Sequence, residues 1–133
     1  MTDTKLLALY LPQYYKTDYN DDWWGKNYTE WTACKQAKPL FKGHQQPKLP
    51  LDNHFYDLSK KEEIMWQCSL AKEYGIDGFV IYQYYSVNGS KYGKKNGKNA
   101  SMLLNVPTEI IRDNSEIDVN YCLYWANHDW RKT

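Results

Sequence analysis

Three apolar runs constrain the fold most: KLLALYL at 5–11, GFVIYQYY at 78–85 and VNYCLYWAN at 119–127. At least in part of each run, neighbouring residues are both apolar instead of alternating. That is the pattern of a strand covered on both faces. Helix signals separate the second and third runs from what precedes them. Ser59 and Glu62 have the spacing of a capping box, and Ile64, Met65, Cys68, Ala71 and Tyr74 recur every three to four residues. Gly75 stands where a helix leaves through a left-handed residue, and Pro107, ahead of Ile110 and Ile111, fits the first turn of a second, shorter helix. Strands alternating with helices require parallel pairing and right-handed crossovers. The sequence therefore reads as α/β, in the order β-loop-α-β-loop-α-β.

The connections are unequal. Residues 12–58 show no sustained period and are punctuated by Gly25, Pro39, Gly43, Pro47 and Pro50. Residues 86–101 are rich in glycine, asparagine and lysine. The stretch GKKNGKN fails as a phosphate loop, because its glycines are one residue too close and Asn99 stands where Ser or Thr must bind magnesium. Both long loops follow strands, and the returns from helix to strand are short. In parallel α/β folds the ligand sits beyond the C-terminal strand ends, so the long loops mark the active-site side.

The residue types on that side point to a chemistry. Aromatics make up 17% of the chain, with 13 Tyr and 6 Trp, and DDWWGKNYTEW at 21–31 sets rings beside carboxylates inside the first loop. Flat rings stack on the C–H faces of a sugar, and Asp, Glu, Asn and Gln pair with its hydroxyls. Carboxylates in such a cleft can act as acid, base or nucleophile. Nucleobases stack on the same rings, but a net charge of +1 argues against a dedicated nucleic-acid binder. Glu30 and Asp129 are the candidate functional acids. Trp24, Trp31, Tyr82, Tyr84 and Trp125 are candidate platforms, and Tyr10, Gln13, Gln83, Asn127 and His128 are further candidate substrate contacts. Asp21 and Asp22 read as solvated or turn residues, Trp66 as packing, and His44 and His54 stand at no metal spacing. The cysteines Cys34, Cys68 and Cys122 form no CxxC pair. They fit a reducing compartment, and the first residues are too short an apolar stretch for a signal segment or a membrane span, so a cytoplasmic location is expected. No cofactor and no metal is expected.

The blocks LALYLPQYY, DDWWGKNYTEWTACKQAKPLFKGHQQPKLP, FYDL, LAKEYGIDGFVIYQYY and CLYWANHDW, in that order, resemble the N-terminal part of the WbsX-like family, also described as glycoside hydrolase family 99-like. The resemblance covers nearly the whole chain. It implies a (β/α)8 barrel of which residues 1–133 supply the first three βα units, and a role in O-antigen or capsular polysaccharide biosynthesis, by transfer or hydrolysis of a glycosidic bond. It also implies an oligosaccharide or sugar donor or acceptor as partner. Three positions depart from the family's usual pattern. Tyr15 and Gln83 stand where histidine is usual. His128 stands where glutamate is usual after Asn127, with Asp129 one residue later. A non-catalytic glycan-binding remnant and an inactive truncated gene product are the alternatives. Three strands of a barrel leave edges and faces open, so self-association is expected, with Leu7, Leu9, Val80, Tyr121 and Leu123 uncovered.

Overall fold

The computed structural model describes residues 4–85 and 103–126, together with the backbone of 94–95 and 98–99. In chain order these are β1 (Leu7–Tyr10), α1 (Asp18–Trp24), α2 (Glu30–Gln36), a 3-10 turn (Leu51–Asn53), α3 (Lys61–Glu73), β2 (Gly78–Gln83), β3 (Lys94–Lys95), β4 (Lys98–Asn99), α4 (Asn105–Asp113) and β5 (Asn120–Trp125). β1, β2 and β5 form one parallel sheet with β2 in the centre. β3 and β4 form a two-residue antiparallel ladder within the segment that reads as a loop. The architecture is thus α/β, and the three apolar runs are its three parallel strands, each shorter than its run.

Register sorts the sheet into two faces. Ala8, Tyr10, Phe79, Ile81 and Gln83 share the helix side with Tyr121, Leu123 and Trp125. Under α3 and α4 this side holds the core: Phe79 and Ile81 are buried with Ile64, Cys68, Ile111 and Ile117. Full burial of a side chain such as Ile81 stabilises by roughly 1.5–3 kcal/mol. Beyond β2 the cover stops. Tyr121, Leu123 and Trp125 are exposed although they share the helix side. On the opposite face Leu7 and Leu9 are exposed too. The both-faces-covered reading of the runs therefore holds for the middle of β2 alone, because among the described residues only β2 has a strand on each side and helices above. Of the five residues expected to be uncovered, Val80 is the exception. It is half-buried, flanked in register by Leu9 and Cys122.

Two expectations about α3 need correction. Its N-terminus is not the Ser59–Glu62 capping box. The helix begins at Lys61 with Lys60 as N-cap, and Asp57 Oδ1 instead accepts from the Ser59 N–H at 3.0 Å and the Ser59 hydroxyl at 2.7 Å. Aspartate competes well for nearby backbone donors, and here it organises the turn one step before the helix. The apolar stripe is also narrower than its period implies. Ile64 and Cys68 are buried, whereas Met65 and Tyr74 are exposed. The C-terminus is as expected. Gly75 has φ +78, and the Gly75 and Ile76 N–H groups donate to Lys72 and Ala71 carbonyls, which is the two-bond Schellman ending. In α4, Pro107 lies in the first turn and is buried, and Ile111 faces the core.

The first long connection is more ordered than its lack of period implies. Thr17 caps α1, its hydroxyl accepting from the Asn20 N–H at 3.1 Å, and Asp18 and Asp21 sit in the first turn where the helix field favours negative charge. Gly25 ends it at φ +99. Thr29 precedes α2, and its N–H donates to Thr32 Oγ1. These helices are seven residues each, too short to display an amphipathic period. Along the free flank of α3, a groove of about 710 Å³ opens between that helix and β1, lined by Tyr10, Tyr14, Tyr56, Trp66, Leu70 and Tyr74 among others.

Candidate functional site

The site is built where β1 ends. Pro12 is fully buried, Gln13 is half-buried with its N–H turned back to the Leu11 carbonyl at 2.9 Å, and Tyr14 adopts φ +69. A left-handed backbone is uncommon for a bulky aromatic residue and must be held by its surroundings. Two contacts hold it. The Tyr14 N–H donates to Glu30 Oε2 at 2.9 Å, and its ring packs against Trp31 at 4.5 Å and Tyr56 at 5.4 Å. Glu30 is the first residue of α2, where the helix N-terminus favours a carboxylate. It thus turns inward to the strand end, half-buried, away from bulk solvent.

Three phenols feel the charge of that carboxylate. Burial pushes the Tyr14, Tyr28 and Tyr84 hydroxyls above the usual tyrosine range. The negative charge of Glu30 pushes each further, after the Cys34 thiol in the case of Tyr14 and directly after burial for Tyr28 and Tyr84. They therefore stay protonated and able to donate beside an acceptor. A carboxylate at a strand end can accept from the hydroxyl of a sugar, and it can take or give a proton.

The other predicted residues fall into groups. Trp24 is 65% exposed, and its ring lies 5.6 Å from Tyr28, whose N–H donates to Asp21 Oδ1. Trp31 is hemmed in by Tyr14, Phe55 and Tyr56, and its indole N–H donates to the Tyr56 carbonyl at 2.9 Å. Tyr82 and Tyr84 pack against Tyr19, Leu103 and Leu104, and Tyr82 meets Tyr124 edge-on at 4.9 Å. Tyr10, Gln83 and Trp125 lie on the helix side of the sheet. The Tyr10 hydroxyl donates to Gln67 Oε1 at 2.6 Å and its ring stacks on Phe79, so burial raises its pKa well above the normal value. Gln83 donates to Asn105 Oδ1 at 2.6 Å and accepts from the Thr108 hydroxyl at 3.2 Å, which binds it to the start of α4. The exposed Trp125 ring lies 6.5 Å from Tyr85. Asn127, His128 and Asp129 fall outside the described residues.

Sequence reasoning passed over Tyr14, whose N–H binds Glu30, and Tyr28, whose ionisation the Glu30 charge opposes. The readable signal was weak: Tyr14 stands two residues beyond Pro12 at a strand end, and Tyr28 precedes the threonine ahead of α2. His54, assigned no role, pairs with Glu63 of α3 at 2.9 Å and packs on Trp66 at 4.7 Å, so Trp66 pins the loop as packing. Among the described residues no group of three or more His, Cys, Asp or Glu is placed to hold a metal ion, and no helix is long and apolar enough to cross a membrane.

The model of the family described as Glycosyltransferase WbsX matches residues 6–133. The chain belongs to the WbsX glycosyltransferase family. It is also similar to the protein WxcX of Xanthomonas campestris pv. campestris, in strain B100 and in strain ATCC 33913, with 39% identity over 127 residues in each. That alignment takes in 96% of this chain and 16% of each relative, so the WbsX-family chain spans about one sixth of the length of the curated relatives it matches. No solved structure matches it. Membership of the WbsX family supports a carbohydrate-related role, which agrees with the chemistry of the aromatic and carboxylate cluster at the strand ends.

Proposed function

We propose that residues 1–133 form the N-terminal part of a carbohydrate-active (β/α)8 barrel that handles a sugar in bacterial O-antigen or capsular polysaccharide biosynthesis. The observation that carries this reading is Glu30, held at the end of β1 by the Tyr14 N–H, with Trp31 beside it in the chain packed on the Tyr14 ring. Glu30 would take the proton or fix the hydroxyl nearest the reacting bond, with Asp129 as the second acid. Trp24 and Tyr82 would be platforms, and Gln13 and Asn127 would bind hydroxyls. The barrel reading is supported by what is uncovered. Among the described residues β1 and β5 each have one unpaired edge, Leu7 and Leu9 are exposed, and the groove beside α3 has the place and apolar lining that a further helix packed on β1 would fill.

One observation favours a binding role without turnover. Tyr15, where the family usually has histidine, is buried in the core, and burial drives its phenol far above the usual range despite a hydrogen bond from the Val106 backbone. It cannot replace an imidazole as a proton carrier at neutral pH. Titrating the chain with bacterial polysaccharide fragments while following tryptophan fluorescence tests both readings. Binding that Glu30→Gln weakens, with helix content unchanged, supports the site. Turnover of a sugar donor or glycoside separates enzyme from binder. Saturable binding unaffected by Glu30→Gln would remove Glu30 from the reading.

A further inference from the structure

The segment between Trp31 and Leu51 is unlike the rest of the chain. It carries Lys35, Lys38, Lys42 and Lys48 and contains no aspartate or glutamate, in a protein whose overall charge is +1. It also presents apolar side chains outward: Leu40 is 83% exposed, Phe41 65% and Leu51 85%. All four lysines are exposed. Adjacent exposed leucine and phenylalanine flanked by lysines suit a surface that is both apolar and negatively charged.

The tip is ordered by its own bonds. The His44 N–H donates to the Phe41 carbonyl at 3.1 Å, closing a turn in which Gly43 has φ +84. The Leu40 N–H donates to His44 Nδ1 at 3.1 Å, and the imidazole stacks on Phe41 with centroids 4.6 Å apart and planes 8° from parallel. Lys35 lies over the Phe55 ring at 3.4 Å at the base of the segment. The outcome is a preformed, exposed knob in which Leu40 and Phe41 are flanked in sequence by Lys38 and Lys42.

We propose that this knob docks on an anionic phospholipid surface, with Leu40 and Phe41 entering the interface and Lys38, Lys42 and Lys48 against the headgroups. The charge complementarity is direct, since a stretch with lysines and no acids suits a negative bilayer face. A bilayer interface accepts an exposed ring and leucine without a matching contour. Neither the apolar tip nor the lysines alone would hold firmly, as stable surface binding takes two signals. Because the turn is already closed, little ordering is lost on docking.

Vesicle flotation of the 133-residue chain tests this, because floated protein is separated from any aggregate. Vesicles of phosphatidylcholine with roughly 30% phosphatidylglycerol should carry the chain upward, and pure phosphatidylcholine should not. Lys38→Gln with Lys42→Gln should weaken partitioning about 25-fold, at about fivefold per lysine. Leu40→Ser with Phe41→Ser should abolish flotation while leaving the circular dichroism unchanged, since both side chains are exposed. Equal flotation with the two lipid mixtures, or no effect from either double variant, would overturn the proposal and leave the knob as a contact for another protein surface. The glycan-binding experiment above does not share these variants, so either reading can fail without the other.

Discussion

Gly78 opens β2 directly opposite Asn120 of β5. A Cβ built on Gly78 would come to 2.4 Å from the Asn120 carbonyl oxygen and 3.0 Å from the carbonyl carbon. Those atoms are backbone, and Asn120 is further fixed by its side-chain amide donating to the Asp77 carbonyl at 3.0 Å. The new methyl must therefore displace a strand, not a side chain. Gly78→Ala at an unstrained site would stabilise by about 0.4–1 kcal/mol through the unfolded state. Here overpacking should outweigh that and leave a net loss of about 1–3 kcal/mol. For a chain of this length each kcal/mol corresponds to roughly 3–5 °C in Tm, so a drop of about 3–15 °C is expected. Thermal unfolding by circular dichroism, with urea unfolding as a check on cooperativity, measures it. A variant as stable as the parent would mean that β5 does not pair with β2 in this register.

Replacing Glu30 by Gln removes the charge that opposes ionisation of Tyr14, Tyr28 and Tyr84, so ultraviolet titration should show part of the tyrosine population ionising at lower pH than in the parent. Asp57→Ala should cost about 0.5–1 kcal/mol by freeing the donors of Ser59, whereas Ser59→Ala should stay within about 0.5 kcal/mol; equal losses in urea unfolding would restore serine as the cap. Burial raises the Tyr56 phenol to about 12 from 10. The neutral form is therefore favoured in the folded state, and stability should be level below pH 10 and fall between about pH 10 and 12; a midpoint in urea that is flat across that window would contradict it. The open edges of β1 and β5, with Leu9 and Leu123 exposed, should make the isolated chain self-associate, and an elution volume independent of concentration would count against this.

What was legible in the sequence follows from pattern length. The strands, α3 and α4 were readable because each shows an apolar run or a period, and Gly75 and Pro107 punctuate as their backbone chemistry requires. The helices α1 and α2 were not, since seven residues hold barely two turns and their caps, Thr17 and Thr29, lie among many other polar residues. Ser59 misled because aspartate two residues earlier competes for the same donors, and a spacing rule is blind to that competition. Glu30 was legible as a carboxylate among rings. Its partner Tyr14 was not, because the bond runs from a backbone N–H in a left-handed turn that only tertiary packing sustains. Placement at a strand end was likewise insufficient to separate Gln83, whose amide is engaged by α4, from Tyr82, which faces the other side of the sheet.

The central place of β2 also fixes an order of events during folding. Its start meets β1 across positions 7 and 78, which are 71 apart, and β5 across positions 78 and 120, which are 42 apart. Closing the shorter loop costs about 0.5 kcal/mol less in chain entropy. That closure also brings α4 over Ile81 before β1 has arrived. Nascent chain emerging from a ribosome has the opposite preference, because β1 and β2 are both available before β5 exists. Refolding from denaturant and folding during synthesis are thus biased toward opposite sides of the same strand, the former by only about twofold, and each bias leaves a different edge of β2 bare while the last partner is awaited.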